Sequence, residues 1–143
     1  MAEDPVIPGE LLRGPNAAGE WRRGGLAEGL ACYCREEFFE AHEHWEGVWL
    51  KLEEPEKSFL QALIQISAAF HHLHANNPAG AVSLLQRALR RLERCPAKFG
   101  GIAVEPLREQ ASQWLRVLRS GVAGRPSAFP RIEPVDLVEA DKE

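Results

Sequence analysis

Apolar residues recur every three or four positions along most of this chain, and this periodicity constrains the fold more than any other feature. The clearest stripe falls on one face of a helix and consists of Phe59, Leu63, Ile66, Phe70 and Leu73. The alternation of period two that is typical of β-strands occurs only in a short piece near the C-terminus. The sequence therefore predicts an all-α protein.

Helix-breaking residues divide the periodic region into five helical segments. Pro55 and Pro78 stand at favoured first-turn positions, and Asn77 is suited to cap the helix that Pro78 opens. The predicted helices run from about 26 to 37, 38 to 52, 55 to 75, 78 to 94 and 104 to 119. Short connections favour antiparallel neighbours, so we expect a compact bundle of four to five helices.

The two ends of the chain show no sustained period. Residues 1–22 are rich in proline, glycine and charge, and residues 121–143 contain several prolines. We interpret them as an N-terminal arm, which Trp21 is expected to anchor, and an extended C-terminal tail. Between them lies one helical bundle domain over residues 23–120, because 143 residues is a single-domain length.

Composition and charge limit the function classes. The apolar fraction of 45% and the charged fraction of 27% are ordinary for a soluble globular protein, and no apolar run approaches the ~20 residues that span a bilayer. The formal net charge of -4 argues against a nucleic-acid partner, which normally selects a basic face. The start MAEDPVIPGELLRG lacks the features of a secretory signal. We therefore expect a cytoplasmic protein without a membrane or nucleic-acid partner.

The three cysteines carry little functional signal. They form an odd set with no CxxC spacing, so neither a disulfide framework nor a thiolate zinc site is indicated. We expect free thiols in the core or on the surface.

The segment FFEAHEHWEGVW, residues 38–49, sets polar side chains into a helix that otherwise resembles a core element. At about 100° per residue, His42 falls in the middle of the apolar face, and Glu46 borders that face. Glu43 lies at the far edge of the border, while His44 points away from the core. The helix is thus predicted to have an inner polar pair and an outer, solvated set.

The third predicted helix carries a polar row of its own. Gln61, Gln65 and His72 line up within about 40° of one another, with apolar residues on both flanks. A polar row bounded in this way is expected to be buried. The solvated arc of the same helix is expected to hold Glu56, Ser67, His71 and His74.

Two antiparallel helices would bring the inner pair His42 and Glu46 toward the row formed by Gln61, Gln65 and His72. Such groups need partners, because an unpaired buried donor or acceptor costs about 1 to 3 kcal/mol. One solution is a closed hydrogen-bond network that only orients the helices.

A second solution is a divalent metal such as zinc, bound by His42, Glu46 and His72 with an open position for water. Glu43 is then the catalytic base or a supporting carboxylate. The third is metal-free acid and base chemistry by a histidine and glutamate pair. The spacing HExxE is less diagnostic than HExxH, and the residues leave the three solutions open.

The segments FFEAHEHWEGVW and FLQALIQISAAFHHLHANNPAGAVSLLQRAL together resemble domain of unknown function family 309, whose small helical-bundle proteins are often described as predicted metal-dependent hydrolases. The resemblance spans about residues 26–92 and implies an all-α fold. It carries over His42, Glu43, Glu46, Trp49, Gln61, Gln65 and His72, with Gly80 and Ala81 at the start of the fourth helix. A glycine commonly precedes the aromatic pair in the family, where this chain has Glu36 and Glu37.

Two functions follow from these patterns. One is a metal-dependent hydrolase of a small-molecule substrate, in which a metal-bound water is the nucleophile and Gln61 and Gln65 position substrate or water. The other is a non-catalytic helical scaffold or interaction module, in which the cluster is structural and the surface forms a homo-oligomer or partner interface. Exposed apolar surface on a helix pair would favour the second function.

Overall fold

The computed structural model describes residues 11–121 and 124–135. After a 3-10 helix, Ala17–Arg22, these residues form α1 (Gly24–Cys34), α2 (Phe38–Trp49), α3 (Glu56–His74), α4 (Pro78–Leu92) and α5 (Val104–Ser120). The predicted all-α class is confirmed. A small antiparallel hairpin of β1 (Lys98–Phe99) and β2 (Ile102–Ala103) is not among the predicted elements. No helix of the described part of the chain is long and apolar enough to cross a membrane.

Local signals set the helix boundaries. Asn77 Oδ1 accepts a hydrogen bond from the Gly80 backbone N–H at 3.1 Å, so the predicted cap of α4 is confirmed. Between α1 and α2, Glu36 adopts a left-handed backbone conformation with φ 64°. Glycine reaches this conformation without a steric penalty. Glu36 thus adopts the conformation that a glycine would favour, and the chain turns here although a glutamate replaces the glycine common in the family.

The helix α3 is the centre of the bundle, because it contacts both α2 and α4 while α1 packs on α2 and α5 packs on α4. Two contacts show that α2 and α3 are antiparallel. Ser67 Oγ donates to the Phe38 carbonyl at 2.6 Å near one end, and the Lys57 ammonium lies 4.3 Å from the centre of the Trp49 ring near the other.

The described parts of both chain ends contact the bundle. Trp21 is buried and its indole N–H donates to the Gly100 carbonyl at 2.8 Å, which confirms that this residue anchors the arm. Residues 124–135, which we call the C-terminal strap, cross the bundle and accept hydrogen bonds from Tyr33 and Trp114. Residues 1–10 of the predicted arm, and 122–123 and 136–143 of the predicted tail, lie outside the described residues. The division into arm, bundle and tail stays a prediction.

Two side chains that were predicted on the solvated arc of α3 are buried instead. Ser67 is fully covered because it hydrogen-bonds to the start of α2. Glu56 is covered by the arm, whose Arg13 donates to its carboxylate at 2.8 Å. His71 and His74 are exposed, as predicted. The periodicity of one helix does not reveal which other segments lie over its polar side.

Candidate functional site

The inner polar pair of α2 lies at the edge of the helix pair rather than deep within it. His42 Nε2 is 3.2 Å from Glu46 Oε2, and the two side chains are 27% and 57% exposed. One turn of helix separates them, so both belong to the same face. Glu46 is more exposed than its predicted position at the core border, and Glu43 is exposed as well.

The polar row of α3 is only partly buried. Gln65 is buried, as predicted, with 7% of its surface exposed. Gln61 and His72 are half-buried. His72 Nδ1 lies 3.1 Å from the Asn77 side-chain nitrogen, in the junction that joins α3 to α4. A Cβ added to Gly80 would lie 3.2 Å from the His72 ring, so the start of α4 packs closely over this histidine.

The register of the two helices separates the two predicted metal-binding histidines. The contacts at the two ends of the pair bring His42 level with residues 63 and 64 of α3, and therefore beside Gln65. His72 is about eight residues farther along, which corresponds to ~12 Å along the helix axis. Within the described residues, no three His, Cys, Asp or Glu side chains form a group that could hold a metal ion. As the side chains stand, the ligand set of the predicted metal centre is not assembled.

Three buried polar atoms along the contact of α2 and α3 have no hydrogen-bond partner in the described part of the chain. They are His42 Nδ1, Trp49 Nε1 and Gln65 Oε1. We call these three residues the polar seam. Nearly all buried polar groups in folded proteins are paired, so each exception needs a physical explanation. The closed hydrogen-bond network that would only orient the helices is incomplete at all three positions.

Two side chains cover the ends of the polar seam. The Phe39 ring stacks on the His42 ring with a centroid distance of 6.1 Å and contacts His71 at 5.4 Å. At the other end, Lys57 lies over the Trp49 ring. Phe39 is 47% exposed. The seam is thus close to the surface, beneath an aromatic and a cationic side chain.

Charged groups outside the seam link the first helices. His44 and Glu28 approach to 3.4 Å between α1 and α2. In the connection of these helices, a hydrogen bond from Arg35 holds the pKa of Glu37 below its usual range. Burial raises the pKa of Tyr33, which therefore stays a hydrogen-bond donor.

The cysteines are free thiols, as predicted. Cys32 is buried, Cys34 is exposed, and Cys95 is half-buried. Burial raises the pKa of the Cys32 thiol and of the Cys95 thiol, so both favour the unreactive protonated form.

The fold and the polar seam define a small helical-bundle protein with a row of unpaired polar atoms between two neighbouring helices. Residues 26–84 match the family model DUF309, described as Domain of unknown function, which confirms the resemblance predicted from the sequence. The match contains most of α1, all of α2 and α3, and the first part of α4. All three residues of the seam lie within it.

The chain is also similar to an uncharacterized protein of Aquifex aeolicus (strain VF5). The two are 34% identical over 74 residues, which cover 50% of this chain and 22% of that protein. This chain therefore matches less than a quarter of the relative's length.

Sequence reasoning included Trp49 in the site by resemblance alone and gave it no chemical role. The available signal was its indole N–H, which needs an acceptor when the ring is buried. Periodicity assigned the ring to the apolar face and said nothing about the N–H. The structure identifies this atom as one of the unpaired groups.

Proposed function

We propose that the polar seam is a binding site for an elongated polar ligand, and that the chain works as a ligand-binding helical module. The observation that carries this proposal is the set of three buried, unpaired atoms along one helix contact. Leaving such an atom unpaired costs about 1 to 3 kcal/mol. A purely structural network closes these bonds, whereas a binding site leaves them open for a ligand, and exceptions to good packing concentrate at functional sites.

The chemistry of the three atoms restricts the ligand. The Trp49 indole N–H only donates, and Gln65 Oε1 only accepts. Trp49 is level with Lys57, eight residues before Gln65 on α3, which corresponds to ~12 Å along the helix axis. A ligand that pairs with both atoms is therefore elongated, with an acceptor at one end and a donor at the other. His42 complements either group, because its Nδ1 accepts or donates according to the protonation of the ring.

A second role for the same site is proton transfer to the bound ligand. The observation that favours it is the distance of 3.2 Å between Glu46 Oε2 and His42 Nε2. A carboxylate that accepts the Nε2 proton fixes the orientation of the ring and leaves Nδ1 as the reacting base. In this proposal, Gln61 lies one turn from Gln65 and assists in positioning the ligand.

Metal-dependent hydrolysis, which the family resemblance implies, is less well supported. It needs His72 to join His42 and Glu46 at one ion, with Glu43 as the base. His42 and His72 are ~12 Å apart along the helix axis, and the described residues contain no group of three side chains that could hold a metal ion. Both observations favour a site without a shared metal.

The sign of a stability change tests the proposal. Gln65→Leu removes an unpaired buried oxygen, so we expect the free energy of unfolding to stay the same or to rise by up to ~1 kcal/mol. The matched control is Ser67→Ala on the same helix, which removes a buried hydroxyl that is bonded to the Phe38 carbonyl. This control is expected to lower the free energy of unfolding by about 1 to 2 kcal/mol in urea denaturation.

A loss in Gln65→Leu as large as that in Ser67→Ala would contradict the proposal, because it would mean that Gln65 has a structural partner such as an ordered water. Elemental analysis of protein purified without chelator gives a second check. Metal at about one ion per chain that is lost in both His42→Ala and His72→Ala would favour the metal-dependent alternative instead.

A further inference from the structure

The helix α2 and the residue that follows it carry the two large hydrophobic side chains that are exposed among the described residues. Leu50 is 73% exposed and Phe39 is 47% exposed. Leu50 keeps helical backbone angles directly after the last residue of α2. The two residues are eleven positions apart, so on a helix they fall within about 20° of each other. They belong to one line along the surface.

Two exposed carboxylates fill the line between these side chains. Phe39, Glu43, Glu46 and Leu50 follow one another at spacings of four, three and four residues. The line is ~16 Å long at the rise of an α-helix. Beside it, Gly47 has open space where a side chain would be, so another backbone can approach α2 closely. We call these four residues the outer face of α2.

The charge in the middle of the outer face restricts what can cover it. In a two-fold antiparallel pair, contact of Phe39 with Leu50 of a second copy also brings Glu43 against Glu46 of that copy. Like charges in direct opposition disfavour such a pair. An anionic lipid surface repels the same carboxylates. The complementary surface has apolar ends and a positive centre.

We propose that the outer face of α2 docks a basic amphipathic helix of a protein partner. The partner helix carries two lysines or arginines between two apolar residues, at the same spacing. Because four, three and four read the same in both directions, a parallel and an antiparallel helix fit equally well. Apolar ends supply contact area, and opposite charges select the partner.

The relative from Aquifex aeolicus is consistent with a protein partner. The segment that resembles this chain makes up 22% of that protein, so a similar helical unit occurs there next to other parts of a longer chain. Phe39 and Glu46 of the outer face also lie beside His42 of the polar seam. The docking proposal is therefore tested at Glu43 and Leu50, which belong to the outer face and not to the seam.

The probe is a synthetic helical peptide of about five turns, built on alanine and glutamine. It carries leucine, lysine, lysine and leucine at the spacing of the outer face. The control peptide has the same composition with both lysines moved to the opposite side of the helix. Isothermal titration with the full chain is expected to give at least ~10-fold tighter binding of the first peptide. The difference is expected to shrink at high salt.

A charge exchange makes the test specific. Glu43→Lys is expected to weaken the first peptide ~10-fold, and a peptide in which one lysine is replaced by glutamate is expected to restore binding to this variant. Leu50→Gln is expected to weaken both combinations. The control is Lys51→Gln, an exposed neighbour outside the outer face, which should leave binding unchanged. All of these side chains are exposed, so the variants are expected to fold normally.

Equal binding of the two peptides would overturn the proposal, and so would a failure of the exchanged charges to restore binding. Self-association of the chain that disappears in Leu50→Gln, measured by sedimentation, would identify a second copy as the partner and equally overturn it. None of these readouts depends on the stability of Gln65→Leu, so the docking surface and the ligand site fail separately.

Discussion

The aromatic end of the bundle, where Phe38 of α2 and Phe70 of α3 pack with Tyr33, Trp114 and Phe129, differs from the polar seam in how its polar groups are paired. At the aromatic end, the Tyr33 hydroxyl donates to the Pro130 carbonyl at 2.6 Å, and the Trp114 indole donates to the Ala128 carbonyl at 3.0 Å. In the polar seam, the Trp49 indole has no partner among the described residues. Closed hydrogen bonds therefore identify the structural end, and open ones identify the candidate site.

The tryptophans make the same comparison within one residue type. Trp21, Trp45 and Trp114 each donate to a backbone carbonyl from a distant part of the sequence, at 2.8, 3.3 and 3.0 Å. The fold thus provides an acceptor for three indoles out of four. The exception, Trp49, is the last residue of α2 and lies under the Lys57 side chain. The unpaired indole N–H of Trp49 is therefore specific to this position and does not reflect loose packing of the whole bundle.

The largest effect is expected from breaking the aromatic end. The Phe129 ring stacks on Trp114 at 5.6 Å and meets Phe70 edge to face at 4.8 Å. Phe129→Ala should lower the free energy of unfolding by about 3 kcal/mol, because it removes most of these contacts and leaves a cavity. Urea denaturation measures the loss. Ser127→Ala, an exposed change in the same strap, should stay within ~0.5 kcal/mol.

A loss below ~1 kcal/mol in Phe129→Ala would mean that the C-terminal strap is not part of the folded core. The aromatic end would then not be a structural region with paired polar groups, and its comparison with the polar seam would fail.

Alanine substitutions at two glycines are expected to change the free energy of unfolding by intermediate amounts and in opposite directions. Gly29 in α1 is covered by the Trp45 indole, and an added Cβ would overlap that ring. Gly29→Ala should therefore lower the free energy of unfolding by about 2 kcal/mol. Gly47 in α2 is exposed with open space around it, so Gly47→Ala should raise the free energy of unfolding by about 0.5 to 1 kcal/mol. Thermal unfolding followed by circular dichroism separates the two.

If Gly29→Ala were neutral, Trp45 would have room to move, and the packing of α1 on α2 would be less specific than the contact implies. A loss in Gly47→Ala would show that something already covers the outer face of α2.

The smallest effect sharpens the comparison most directly. Trp114→Phe removes an indole N–H that has an acceptor, whereas Trp49→Phe removes one that has none within residues 11–121 and 124–135. Both changes lose a similar ring volume. We therefore expect Trp114→Phe to be more destabilising by about 1 kcal/mol in equilibrium denaturation. Equal losses would indicate that the Trp49 N–H is bonded in solution.

The helices were largely predictable because their signals are local. The Asn77 cap and the proline after it start α4 where expected, and the apolar stripe of α3 is buried from Phe59 to Phe70. The helix α2 ends at Trp49, three residues before its predicted limit. The prediction was too long because the apolar residues after Trp49 continue the helical spacing. The small hairpin has strands of two residues each, too short for any period to appear.

The candidate site was predictable in its residues but not in its arrangement. Helical periodicity gives the direction in which a side chain points, and so it aligned Gln65 with His72. It gives no position along the partner helix. The register of α2 against α3, which depends on contacts such as Ser67 with Phe38, decides that His42 lies level with the residues just before Gln65 rather than with His72. The same dependence on distant contacts explains the unexpected burial of Glu56 by Arg13.

The hydrogen bonds that Tyr33 and Trp114 donate to the C-terminal strap limit how sequences like this one can diverge. Tyr33 and Trp114 bind backbone carbonyls, and every residue type carries a carbonyl. Most positions of the strap can therefore change without loss of these bonds, while Phe129 fills a specific aromatic cavity. Relatives that keep the strap should share the tyrosine, the tryptophan, one aromatic anchor and an apolar residue at the position of the buried Ile132, while the exposed positions of the strap should vary freely.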